Sequence, residues 1–144
     1  MDVKEYLSRY HETKVQIEKL EQIVAEYIRL ANSIPGINFD QVRIDGTKNL
    51  QAPFEKWILR ALDDELVIKS LKKELPILKG EIITTIETLH DSDCKRVLIH
   101  RYIDWFSWNE ISKVMFYSTA SIRRLHDKAL LEIKELLNGK AEQG

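Results

Sequence analysis

Apolar residues recur at helical spacing along most of this chain, and polar residues fill the positions between them. From Asp2 to about Asn32 the apolar set is Val3, Leu7, Tyr10, Ile17, Val24, Ile28 and Ala31, spaced by three, four or seven. Tyr6, Leu20 and Tyr27 form a second row beside it, so the stripe is wide. A helix of about 30 residues spans roughly 45 Å and cannot bury such a stripe alone. It needs a partner helix.

The pattern stops at Ser33-Ile34-Pro35-Gly36, and residues 33–52 read as a mobile linker. Pro35-Gly36 and Asp45-Gly46 are turn signals, and Gln41–Ile44 is at most a short extended piece. A second long helix begins at Pro53, a residue suited to a first turn. Its buried stripe is Phe54, Trp57, Ile58, Ala61, Leu62, Ile68, Leu71 and Leu75, continuing as Leu78, Ile82, Ile83, Ile86 and Leu89. Pro76 falls inside that stripe and is expected to kink or split the helix. The two long segments are expected to pair as an antiparallel, coiled-coil-like hairpin over residues 1–89. Their excess apolar surface, at Leu7, Tyr10, Ile17 and Val24, is expected to meet a second copy of the chain.

Three shorter helices follow, at about 94–103, 107–115 and 119–137. His90-Asp91-Ser92-Asp93 caps the first of them. Ser107 with Glu110 three residues later is a capping box for the second, whose apolar edge is Ile111, Val114 and Met115. Phe116-Tyr117 closes a tight turn, and Ser118 caps the third helix. Helix, tight turn and basic second helix make the layout of a helix-turn-helix, which offers its second helix to the DNA major groove. The fold class is therefore all-α: a long helical hairpin, a helix-turn-helix module at 90–138, and a disordered tail at 139–144.

Composition sharpens this picture. Charged residues make up 31% of the 144 positions and glycines number only five, as suits long helices. The single cysteine, Cys94, excludes an internal disulfide and fits a reducing cytoplasm. No apolar run is long enough for a membrane span, and the charged N-terminus lacks a signal core. Net charge is −1, but its distribution is uneven. Residues 95–128 carry seven basic side chains against three acidic ones, a net +4, while residues 1–91 carry 13 against 16. A basic module on an acidic stalk fits a nucleic-acid partner.

The stretch RVLIHRYIDWFSWNEISKVMFYSTASIRRLHDKALLEI resembles the fourth region of bacterial sigma factors. The matching positions are Leu98, Arg101 and Tyr102; Ser107, Glu110, Ile111 and Ser112; then Ser118, Ile122, Ala129 and Leu130. With its helical N-terminal half, the chain is similar to small phage-encoded regulators of Gram-positive bacteria of the ArpU and RinA type. The resemblance covers about the last third of the chain. It implies control of phage or prophage transcription and a contact with RNA polymerase. Phe116 stands where glycine is common, so a reshaped turn is expected. The positions matching the main base readers hold Thr119, Ala120 and Arg124, which implies a target other than the usual promoter element.

At 100° per residue, Ile122, Leu125, Ala129, Ile133 and Leu136 cluster within about 60° and face the core. Ala120, Arg124, Asp127 and Leu131 point away, flanked by Ser121, Lys128 and Arg123. Thr119, Ala120, Ser121 and Arg124 are thus the candidate base readers, with Arg124 suited to a guanine edge and Ala120 to a thymine methyl. Lys113, Ser118, Arg123 and Lys128 are the candidate phosphate contacts. Arg123 has an alternative, an i,i+4 pair with Asp127. Leu131 lies beyond the DNA-facing turns and is assigned to another chain or to the stalk.

No phosphate loop, zinc-protease motif or paired cysteine occurs, and neither catalysis nor a small-molecule substrate is expected. His90 and Cys94 form an i,i+4 pair, but two ligands do not make a zinc site, so no metal or cofactor is expected. His126 is assigned a hydrogen-bonded structural role, and Trp105, Phe106 and Trp108 are assigned to packing at a helix corner. The function expected is that of a cytoplasmic, homo-oligomeric, sequence-specific double-stranded DNA-binding regulator. The alternatives are the DNA-recognition subunit of a phage packaging machine and a helical protein-binding adaptor without DNA contact.

Overall fold

The computed structural model describes residues 2–33 and 52–143, and nearly all of them are helical. The expected linker lies outside the described residues, except for a turn at Ser33 and the first helical residue Ala52. The helices are α1 (Val3–Asn32), α2 (Ala52–Glu87), α3 (Ser92–Leu98), α4 (Trp108–Met115) and α5 (Thr119–Gln143), with a π-turn at Ile99–Ile103 after α3. No strand occurs among the described residues. None of the described helices is long and apolar enough to cross a membrane.

Pro76 does not split α2, which is continuous from Ala52 to Glu87. The proline removes one backbone donor, and the turns on either side hold the helix. At the C-terminal end, α5 runs through Gly139 to Gln143, where a disordered tail was expected. Gly139 is half-buried with open space where a side chain would stand, and one glycine costs a helix only about 1 kcal/mol.

Two compact units divide the chain, and they cut across the expected boundary at residue 89. One comprises 14–74, the other 1–13 together with 75–144. The smaller unit pairs the end of α1 with the start of α2. Ile17, Val24, Ala31, Ile58, Ala61 and Ile68 are buried there. Tyr27 stacks on Trp57 at 5.9 Å, and Lys72 pairs with Glu21 at 3.0 Å. Partner numbers fall as α1 numbers rise, so the helices run antiparallel.

In the larger unit the start of α1 and the end of α2 form one wall of the core. The Tyr6 and Thr85 hydroxyls meet at 2.9 Å and Arg9 pairs with Glu81 at 3.3 Å. Val3, Leu7, Ile82, Ile86 and Leu89 are buried with Cys94, Leu98, Tyr102, Ala129 and Ile133 of the shorter helices. Each of these leucine and isoleucine side chains contributes roughly 1.5–3 kcal/mol by leaving water. Leu7, Ile17 and Val24 therefore do not supply an oligomer seam. All three are buried inside the single chain, and Tyr10 is half-buried against the larger unit's core.

A second cluster, Val97, Ile111, Met115 and Ile122, sits under α4 and α5 with Phe106, Trp108 and Leu125. Val114, expected on the apolar edge, is exposed. Leu136 is exposed as well, and the neighbouring Leu137 packs on the core in its place.

Candidate nucleic-acid interface

Side-chain caps start α3, α4 and α5. Asp91 accepts the Asp93 amide at 2.8 Å and starts α3. That bond, more than the nearby Lys128 ammonium, holds the Asp91 carboxyl below its ordinary value. Ser107 Oγ accepts the Glu110 amide at 3.2 Å, and the Glu110 carboxylate accepts the Ser107 amide at 3.5 Å, so the capping box is complete. Ser118 Oγ accepts the Ser121 amide at 3.1 Å and donates to Ser121 Oγ at 3.0 Å.

The turn between α4 and α5 keeps the left-handed conformation that glycine usually supplies. Phe116 has φ 60 and ψ 36, so the expected reshaping does not occur. The ring is 92% exposed and makes no demand on its surroundings. Bonds on either side hold the strained residue. The Ser112 hydroxyl donates to the Tyr117 carbonyl, and the Tyr117 phenol donates to Asp93 of α3 at 2.7 Å. The carboxylate at that bond raises the Tyr117 pKa.

Thr119, Ala120 and Arg124 stand exposed on the first turns of α5. Arg124 makes no ion pair or hydrogen bond among the described residues. Ser121 departs from the expectation: it is half-buried and belongs, with Ser118, to the helix cap. Lys113 is exposed on α4. Lys128 is exposed too, but its ammonium pairs with Asp91 at 3.5 Å, so its charge is already partly balanced. Arg123 does not pair with Asp127. Its guanidinium lies 5.5 Å from the Trp108 ring centre, and Asp127 accepts from His126 Nδ1 at 3.3 Å. Leu131 is 63% exposed and borders a cavity of about 330 Å³ beside Asp2, Val3 and Lys4, near the start of α1.

Several relationships have no local signature in the sequence. His126 is buried, and its two ring nitrogens have different partners. The Asp127 carboxylate can only accept, so Nδ1 carries the proton and Nε2 accepts the Tyr102 hydroxyl at 2.7 Å. Burial lowers the His126 pKa and pushes Tyr102 up to about 12. His90, one half of the possible metal pair, instead bonds Glu132 at 2.7 Å, while Cys94 is buried and donates to the Leu125 carbonyl at 3.6 Å.

The corner between α3 and α4 is the other strained region. The Asp104 amide donates to the Ile99 carbonyl at 3.0 Å, a π-type bond that widens the end of α3. Trp105 then adopts φ 59. His11 stacks flat on its ring at 3.6 Å, and Arg101 Nη1 donates to the Phe106 carbonyl at 2.9 Å. Phe106 stacks on His100 and Trp108 is half-buried, whereas Trp105 stays 44% exposed, so the packing expected of all three holds for two of them.

Comparison of the chain with protein-family models, curated proteins and solved structures finds no match.

Proposed function

We propose that this chain is a sequence-specific, double-stranded DNA-binding transcriptional regulator whose reading helix is α5. One observation carries the proposal. Two capped helices, joined by a left-handed turn, leave Thr119, Ala120 and Arg124 exposed on the first turns of the second helix, with Lys113 and Arg123 flanking them. Arg124 would donate two hydrogen bonds to a guanine edge, and Ala120 would meet a thymine methyl. Lys113 and Arg123 would hold phosphates, and Lys128 would contribute less because Asp91 shares its charge. Phage or prophage genes as targets, RNA polymerase as a second contact and a cytoplasmic setting come from the resemblance to sigma region four and its phage relatives.

A homo-oligomer remains part of the proposal, with its surface moved. In the smaller unit, Leu59 and Leu66 lie seven residues apart on α2, and both are exposed, Leu66 by 67%. These residues would meet the second copy in place of Leu7, Ile17 and Val24. Solution mass of the wild type and of Leu66→Glu checks this: a monomeric wild type sinks it.

Selection of preferred duplexes from a random pool, followed by a salt titration, tests the DNA reading. Enrichment of one motif with a steep salt slope is the expected result. No enrichment would favour the adaptor, whose supporting feature is the exposed apolar group Val114, Phe116 and Tyr117 around the turn.

A further inference from the structure

Beside the outward face of α5 lies a concave site that shares only Arg123 with the DNA reading. Two neighbouring cavities of about 310 and 180 Å³ share three lining residues, Lys4, Trp108 and His126. Arg123 borders the first, and Arg101 and Trp105 border the second. The Arg101 guanidinium lies 4.2 Å from the Trp108 ring centre, and the Arg123 guanidinium lies 5.5 Å from it. Two guanidiniums therefore converge on indole surface, and Lys4 lines the same cavities. None of them makes an ion pair among the described residues, and the one lining carboxylate, Asp127, is turned to His126. His126 adds no further charge, because it accepts from Tyr102 and burial favours its neutral form. The backbone here is unusual as well: the π-turn at Ile99–Ile103 and the positive φ of Trp105 frame the same cleft. π-Turns and strained residues gather at functional sites.

We propose that this cleft binds a small planar aromatic anion of the nucleoside monophosphate class, its base against Trp108 and Trp105 and its phosphate held by Lys4, Arg101 and Arg123. A base has a π-face that stacks on indole or guanidinium, and a phosphate takes forked donation from arginine. Cavities of this size suit a mononucleotide better than a larger effector. Arg123 also belongs to the proposed phosphate contacts of DNA, so a filled cleft would withdraw one cation from the duplex. That consequence rests on the DNA reading; the cleft itself does not.

Calorimetric titration of the full chain, without DNA, with AMP, GMP, CMP and UMP tests the site. Adenosine and ribose 5-phosphate serve as the base-only and phosphate-only arms. At least one nucleotide should bind saturably, and both fragments should bind at least roughly tenfold more weakly. Lys4→Glu and Arg123→Ala, both at exposed positions, should each weaken the nucleotide by roughly tenfold, with urea midpoints confirming that the variants fold. Absence of saturation up to about 10 mM, ribose 5-phosphate binding as well as the nucleotide, or indifference to both substitutions would each overturn the proposal. Because no duplex is present, failure here leaves the DNA reading standing, and a failed duplex selection leaves the cleft standing.

Discussion

Tyr117 and Asp93, 24 residues apart in the chain, are joined by a 2.7 Å bond in which the phenol donates to the carboxylate. This bond ties the helix-turn-helix turn to the first turn of α3, and so fixes the approach of α5 to the rest of the module. Its signature is a raised Tyr117 pKa. Asp93→Asn should return the Tyr117 titration toward its ordinary value of 10.0, as followed by phenolate absorbance. A titration indifferent to that substitution would show that the bond does not form.

Leu7 distinguishes an internal core from an intermolecular seam. It is fully buried among residues of its own chain, so Leu7→Ala should cost about 2–5 kcal/mol in urea unfolding. The loss should not depend on protein concentration. A loss that shrinks as the protein is concentrated would return Leu7 to an interface between copies.

Phe116 stores strain that a single substitution can release. A side chain in the left-handed region costs roughly 1–2 kcal/mol, and this ring buries almost nothing in return. Phe116→Gly should raise stability by about 0.5–1 kcal/mol, the rest being offset by the greater freedom of glycine in the unfolded chain. Unfolding midpoints measure it, and a destabilised variant would mean that the ring packs against something.

His126 predicts how the fold responds to mild acid. Its folded pKa lies below the free value of 6.5 because burial disfavours the imidazolium. The unfolded chain therefore takes up a proton first as pH falls. The stabilisation is complete above 6.5 and is lost as pH drops through the folded value. Asp91 and Glu132, whose pKa values are lowered from 3.8 and 4.5, contribute a separate loss at more acidic pH. Urea unfolding across these windows should show the upper step in the wild type and not in His126→Gln.

On DNA, Arg124→Ala should cost about 1–3 kcal/mol of specific binding and relax preference at one base pair. Lys113→Ala should weaken all duplexes and lower the salt slope by about one. Lys128→Ala should lower it by less, since Asp91 already shares that charge. Selection and salt titration of the three variants measure these effects. Unchanged selectivity in Arg124→Ala removes it as the base reader.

What the sequence disclosed follows the range of each interaction. The Ser107–Glu110 box and the Ser118 cap were legible because both partners lie within one helical turn. The α1 stripe was legible as apolar, but not what covers it: Leu7 is buried in one cluster with Ile82, Ile86 and Leu98, which no spacing rule connects to it. The wheel placed Leu136 inward, whereas Leu137 packs on the core. At Phe116 steric preference pointed to a reshaped turn. The bonds from Ser112 and Tyr117 hold the unfavourable conformation instead. The cation-lined cleft gathers residues from α1, the π-turn, α4 and α5, so no single stretch of sequence announces it.

The burial of Val3 and Leu7 beside Ala129 and Ile133 also bears on how the chain is made. Tyr6 and its partner Thr85 are 79 residues apart, and a ribosome adding about 5–20 residues per second needs roughly 4–16 s to cover that interval. Throughout it, the first turns of α1 have been synthesised while the surface that covers them has not. Slow translation should therefore lengthen the time in which nascent chains present this apolar stripe to chaperones, and the larger unit completes its core only once Ala129 and Ile133 have been made.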